Sequence, residues 1–336
     1  MGKYYTERED YGNGYRIKYL KSLDKLLEQR REQCEKQRDD FAKDITAKPD
    51  EYRKKYYDML GWPLNSEPQG IISVTEQKTY EDDKIIIRRM QFELFDGFYF
   101  YGILFRHKTD KKLPLVISQH GGWGTPEFCS GFFDSENYND MSMRVFDKGV
   151  NVFAPQLDLW KENRFGPSGR RDDFDMKLKQ LGGSIAALEI YSIMRCIDYF
   201  EKKDYCNGKF GMVGLSYGGF YTLYTTAADT RIKTALSCSH FNDRIKYGWM
   251  SKSFINAAST FLDAEVAALV YPRRLAIEVG DNDELFEPES AALEFERLKR
   301  YYGKDTDKLH FHIFNGVHEF CPDGDEAIDW VLDEIL

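Results

Sequence analysis

Hydrophobic and polar positions follow three rhythms along this chain, and each change of rhythm marks a change of organisation. From Tyr15 to Ala47 apolar residues recur at helical spacing (Ile17, Leu20, Leu23, Leu27) and then give way to Lys, Arg, Glu and Asp. That pattern predicts a long helix that packs by its first turns and continues as a solvated charged face. Pro49 interrupts it, and Glu51 to Leu60 reads as a second short helix ending at Gly61-Trp62-Pro63. From Ile71 the rhythm becomes alternating, through Ile71 to Thr79, Lys84 to Phe95 and Phe98 to Arg106, with Asp96-Gly97 as a hairpin turn signal. These segments are expected to be antiparallel edge strands.

From Leu113 onward short, nearly continuous apolar runs alternate with helical stripes. The runs are Leu113 to Gln119, Val150 to Pro155, Lys209 to Val213, Ile232 to Cys238, Leu275 to Val279 and Leu309 to Phe314. The helices are Ser184 to Lys203, Gly218 to Ala228, Pro288 to Tyr302 and Glu326 to Leu336. Strand-helix alternation with apolar strands predicts an α/β fold, a mostly parallel sheet covered by helices on both faces. With no repeat and no low-complexity linker, two parts are expected: a charged helical extension over residues 1–66 and a catalytic domain over 67–336. Two long insertions, Trp160 to Gly183 and Phe241 to Tyr271, leave strand ends on the side where such sheets bind ligands.

Composition narrows the picture. A net charge of -9 and the absence of a Lys/Arg-rich stretch beside stacking aromatics argue against a nucleic-acid partner. No apolar run approaches the ~20 residues needed to cross a bilayer, and no basic-then-apolar leader opens the chain, so a soluble cytoplasmic protein is expected. The six cysteines lack C-x-x-C spacing and read as reduced thiols.

The candidate chemistry centres on Gly214-Leu215-Ser216-Tyr217-Gly218-Gly219, which lies between an apolar strand and a helix. A serine on a sharp strand-to-helix turn can present its hydroxyl to a carbonyl carbon, and glycines on either side make room for that turn. An acid and then a histidine should follow on later strand-end loops. Asp283, in Gly280-Asp281-Asn282-Asp283-Glu284, is the expected acid, with Asp281 second and Glu284 third; His318 is the expected base, with His240 competing. Oxyanion donors are expected from the N–H of Tyr217 and from that of Gly122 or Trp123, in Gln119-His120-Gly121-Gly122-Trp123-Gly124. His120, Gly121, His240, Trp160 and Trp249 are expected to line the substrate pocket. His120 is assigned to positioning its loop. His310 and His312 share a strand face, but without a recognisable ligand spacing no metal is expected, and no cofactor is required. Arg164, Arg170 and Arg171 could hold an anionic substrate or pair on the surface.

These motifs together resemble the dienelactone hydrolase-like branch of the α/β-hydrolase superfamily, and within it the acetyl xylan esterase-like proteins. The residues carrying the resemblance are Gln119 to Gly122, Gly214 to Gly219, Ala267 to Leu275 leading into Gly280 to Asp283, and Asn315 to Phe320; it covers roughly Ile71 to Leu336. It implies a Ser216, Asp283 and His318 triad acting on a small-molecule ester such as an acetylated sugar, with homo-oligomerisation compatible. Dienelactone hydrolase itself uses a cysteine nucleophile, where this chain has Ser216. Ser-Tyr-Gly-Gly also resembles the nucleophile turn of prolyl oligopeptidase-type peptidases, which keeps a peptidase as one alternative; a catalytically silent hydrolase-fold binding protein is the other.

Overall fold

The computed structural model describes residues 5–167, 169–248 and 250–336. Helices α1 (Asn13–Ala42) and α2 (Pro49–Leu60) lead into a meander of β1 (Ser73–Glu81), β2 (Ile85–Phe95) and β3 (Phe98–His107). There follow β4 (Leu113–Gln119), α3 (Met141–Asp147), β5 (Asn151–Pro155), α4 (Arg171–Gln180), α5 (Ile185–Phe200), β6 (Cys206–Leu215) and α6 (Tyr217–Ala228). The chain ends with β7 (Ile232–Cys238), α7 (Asp263–Ala268), β8 (Arg274–Gly280), α8 (Pro288–Tyr302), β9 (Leu309–Phe314) and α9 (Glu326–Leu332).

The strands form one sheet in the order β1-β2-β3-β5-β4-β6-β7-β8-β9. Pairing is antiparallel through β1, β2, β3 and β5, and parallel from β5 to β9. The expected α/β architecture is therefore the observed one, hairpin included: Phe95 pairs with Phe98 around Gly97.

Alternate residues of a strand serve opposite faces. Leu115, Ile117, Phe210 and Met212 join the core under α2, α5, α6 and α8, whereas Val116, Val213 and Leu215 join the core under α3 and α9. After β4 the chain turns towards one face, and after β6 towards the other. A crevice consequently opens between these two strand ends, the point at which open α/β sheets take up ligands.

Three short helices, α3, α4 and α7, are not among those read from the sequence. In α4, Asp172 and Asp173 occupy the first turn and Lys177 and Lys179 the last, complementing the helix dipole. Ion pairs Lys177–Asp173 (2.7 Å) and Lys179–Asp175 (2.8 Å) add support at i,i+4 spacing, so charge order rather than apolar periodicity specifies this helix. Helices α3 and α7 are only 7 and 6 residues long, too short to show a full apolar period.

The long first helix packs the opposite way to its sequence reading. Ile17 (53% exposed), Leu20 (58%) and Leu27 (60%) lie uncovered, whereas Cys34, Arg38 and Ala42 of the charged continuation are buried. The cause is an ion cluster. Arg38 pairs with the buried Glu265 at 3.3 Å and donates to the Ala258 carbonyl at 2.9 Å; Arg297 Nε meets Glu265 Oε1 at 2.6 Å, and Tyr301 donates to the same oxygen at 2.8 Å.

Breaking a buried ion pair strands its partner in a low-dielectric setting. Arg38→Ala is therefore expected to lower unfolding free energy by about 2 kcal/mol, the loss being limited because Arg297 still faces Glu265. Removing residues 5–30 should change it by no more than roughly 0.5 kcal/mol. Urea denaturation of the two variants checks both.

Candidate active site

The turn joining β6 to α6 holds Ser216 at φ 59°, ψ -117°, a backbone conformation that costs a residue with a Cβ on the order of 1–3 kcal/mol. The surroundings hold it there. Its N–H donates to the Cys238 carbonyl at 2.8 Å, and its carbonyl accepts from Phe220 N–H at 3.0 Å. Gly218 lies so near the end of β4 that a side chain there would collide with the Gln119 carbonyl, and a Cβ on Gly121 would come within 2.6 Å of the Leu215 carbonyl and 3.1 Å of Ser216 Cβ. Both glycines are required by close approach. The strained serine thus sits against the Gly121 turn at the mouth of the crevice.

His318 and Asp283 meet across the loops that follow β9 and β8. His318 Nδ1 lies 2.9 Å from Asp283 Oδ2, while Asp283 Oδ1 accepts the N–H groups of Leu285 (2.8 Å) and Phe286 (3.0 Å). Asp281 does something else: its Oδ1 accepts from Gly316 N–H at 3.0 Å, and its N–H donates to the Phe314 carbonyl at 2.9 Å, which staples the two loops together. Glu284 is exposed. A Cβ on Gly280 would come within 2.6 Å of the Gly316 carbonyl, so that glycine lets the histidine loop close over the strand end.

From the other side Asn137 Nδ2 donates to the His318 carbonyl (3.2 Å) and Asn139 Nδ2 to that of Phe320 (2.6 Å). One residue connects the serine to this loop. Cys238, whose carbonyl receives the Ser216 N–H, places its Sγ 3.3 Å from the carbonyl of Glu319, the neighbour of His318.

On the β4 side, His120 is buried and its tautomer follows from its partners. Leu157 N–H donates to Nε2 at 3.1 Å, so Nε2 is the acceptor and Nδ1 carries the proton towards the Gly121 carbonyl, 2.9 Å away. Burial pushes its pKa down to about 4, keeping the ring neutral. The two candidate oxyanion donors are not equivalent. Trp123 N–H donates to the Leu159 carbonyl at 2.6 Å, and the residue is 72% exposed. Gly122 N–H has no acceptor among the described residues. Gly121 N–H donates to the Tyr138 hydroxyl at 2.9 Å.

His240 is placed against use as a base. Arg244, which can only donate, reaches His240 Nε2 at 2.9 Å and also pairs with buried Asp263. Burial, and then the Arg244 charge, push the imidazole pKa well below its usual value. The arginines of the first insertion separate too: Arg171 is committed to Glu189 at 2.9 Å and lies 5.3 Å from the Tyr217 ring, Arg164 pairs with Glu136 at 2.8 Å, and Arg170 stays at the surface near Asp173. Trp160 donates its indole N–H to the Pro167 carbonyl at 2.6 Å, and Trp249 lies outside the described residues.

Two neighbours of the site have no signature in the sequence. Lys252, buried, holds its Nζ 3.9 Å from the Tyr217 ring and 5.8 Å from that of Phe286, and burial depresses its pKa well below the usual lysine range. Phe286 lies 5.7 Å from the His318 ring and 6.0 Å from that of His240. Behind the sheet, Glu278, His312 and Cys321 bring one metal-competent atom each within 4.8 Å of one another, a grouping the His310/His312 pattern did not reveal. Glu278 Oε1 and His312 Nδ1 are 3.1 Å apart, and burial pushes the Cys321 thiol up to about 11.

The chain has the fold of the α/β hydrolases. Residues 182–304 match the X-Pro dipeptidyl-peptidase (S15) family. YtaP, a putative hydrolase of Bacillus subtilis (strain 168), is 27% identical over 199 residues; the alignment covers 53% of this chain and 63% of that protein. A glucuronoyl esterase from Solibacter usitatus superposes with a TM-score of 0.64 at 12% identity, covering 87% of this chain and 93% of that one. A putative acetyl xylan esterase from Bacteroides fragilis NCTC 9343 gives 0.63 at 12% identity over 81% and 76%. The chain is thus a hydrolase-fold protein resembling esterases. No described helix is long and apolar enough to cross a membrane.

Proposed function

We propose that this protein hydrolyses small carboxylic esters through an acyl-enzyme on Ser216, with residues 67–336 as the catalytic unit and 1–66 as an extension. The observation carrying this reading is the strained serine at the strand-end crevice together with the Asp283–His318 pair on the adjoining loops. With Nδ1–H directed at Asp283, His318 keeps Nε2 to take the Ser216 proton. Serine Oγ then bonds to the ester carbon, and the developing oxyanion is held by the N–H groups of Tyr217 and Gly122. Tyr217 opens α6, where N–H groups have no intrahelical acceptor and the helix dipole is positive. The tetrahedral adduct collapses, the alcohol departs with the proton from His318, and water activated by the same base releases the acid.

The test is stopped-flow hydrolysis of p-nitrophenyl acetate, followed by a panel of acetyl, longer acyl, uronate methyl and acetylated xylo-oligosaccharide esters. A p-nitrophenol burst approaching one equivalent per chain supports the acyl-enzyme; linear turnover without acyl-serine on quenching, or no turnover of any ester, contradicts the reading. The S15 match favours a second reading, cleavage after an Xaa-Pro dipeptide. Faster turnover of Xaa-Pro-p-nitroanilides than of every ester would select it.

A further inference from the structure

Glu278 of β8 stands beside His312 of β9 in the register of the sheet, so the two side chains share a face. That face is the one packed under α3 and α9, where Ala276 and Cys321 also lie. Three kinds of donor atom converge there. Glu278 Oε1 is 3.1 Å from His312 Nδ1, and a carboxylate oxygen, an imidazole nitrogen and the Cys321 Sγ all fall within 4.8 Å of one another. Glu278 and Cys321 are buried, whereas the His312 side chain, on the outermost strand, is 38% exposed and opens the group to solvent.

The donors have capacity to spare. Among the described residues the Glu278 carboxylate has one hydrogen-bond partner, His312, although a carboxylate accepts several bonds. A buried carboxylate with so little compensation is costly, and a cation supplies what it lacks. Cys321 Sγ makes only a long contact, 3.7 Å, to the Asp323 carbonyl. Its backbone is nonetheless fixed: Arg144 donates to the carbonyls of Cys321 (2.7 Å) and Gly324 (2.6 Å), and its Nε bonds Asp325 at 2.9 Å. Supporting bonds of this kind hold metal ligands in place. His310, two residues before His312, is turned to the Trp330 ring, 5.6 Å away, and is not part of the group.

We propose that Glu278, His312 and Cys321 form a zinc site with one coordination position left to solvent. Zinc accepts this mixture of oxygen, nitrogen and sulfur ligands at about 2.0–2.3 Å, which sets neighbouring ligand atoms roughly 3.3–3.7 Å apart. Glu278 and His312 are near that separation, and Cys321 Sγ reaches it by a shift of about 1 Å. On binding, the thiol proton passes to solvent, and His312 coordinates through Nδ1 as the neutral ring with its proton on Nε2. The thiolate selects against magnesium and calcium, which take oxygen ligands. The ion ties β8 and β9 to the loop that bears His318, since Cys321 lies three residues beyond it. This site is independent of the esterase reading, because its test needs no substrate.

The chain is freed of metal by dialysis against a chelator and titrated with cobalt(II), whose bond to a thiolate gives a near-ultraviolet charge-transfer absorption. One cobalt per chain should develop that band, zinc should remove it by displacement, and excess magnesium should leave it. Cys321→Ser should abolish the band, and His312→Ala, on the exposed edge strand, should weaken zinc binding at least about tenfold. Zinc should also slow amide hydrogen exchange across residues 315–321 in the wild type but not in Cys321→Ser. Circular dichroism verifies that each variant is folded, and either variant alone suffices for the test.

No charge-transfer band in the wild type, a band that survives Cys321→Ser, or zinc affinity unchanged in His312→Ala overturns the proposal. Displacement of cobalt by magnesium, or exchange across 315–321 that is indifferent to zinc, overturns it equally.

Discussion

Ser216→Ala is expected to reduce kcat/KM for p-nitrophenyl acetate by roughly 10⁴-fold or more, leaving only what the oxyanion donors and substrate binding supply. The alanine keeps a Cβ on a backbone held at φ 59°, so the strain persists and stability should barely change. Ser216→Gly is more informative about the fold. Glycine adopts this conformation without steric penalty, and the variant should be equally inactive while unfolding at about 1 kcal/mol higher free energy. A chain that becomes more stable as it loses activity is expected when local strain serves chemistry rather than folding.

The second large effect concerns the acid. Asp283→Asn should lower kcat by about 10⁴-fold, because an amide in place of Oδ2 no longer fixes the proton on His318 Nδ1 and the base is presented in the wrong tautomer. Asp281→Asn should change kcat no more than a few-fold, since its side-chain oxygen still accepts the Gly316 N–H that staples the two loops. The pair of substitutions differs by two positions in one loop. Steady-state kinetics on both therefore separate a catalytic carboxylate from a structural one; equal losses would contradict the assignment.

Much of this arrangement is written locally. The alternating pattern before Leu113 and the apolar runs after it are properties of single strands, and they predict the sheet and its change of pairing. Ser216, flanked by glycines, is legible for the same reason, since a tight turn restricts the residues beside it. Gly280 three positions before Asp283 marks a crowded strand end.

What could not be read depends on partners distant in sequence. Arg38 reads as solvated until Glu265 and Arg297 are brought against it, and the uncovered Ile17, Leu20 and Leu27 read as a packing stripe. The choice between Gly122 and Trp123 turns on the Leu159 carbonyl, which engages the Trp123 N–H. Lys252 and Phe286 arrive from an insertion and a loop with no motif of their own. Helix α4 was hidden because its specification is a charge gradient with few apolar positions.

The central claim is that Ser216 is a nucleophile activated by His318. The most direct measurement is mass-spectrometric mapping of the adduct formed with a fluorophosphonate, in the wild-type chain and in His318→Ala. One stoichiometric adduct on Ser216 is expected in the wild type, with labelling slowed at least about 10³-fold in His318→Ala. An adduct on another residue, or labelling of Ser216 at the wild-type rate without His318, would contradict it.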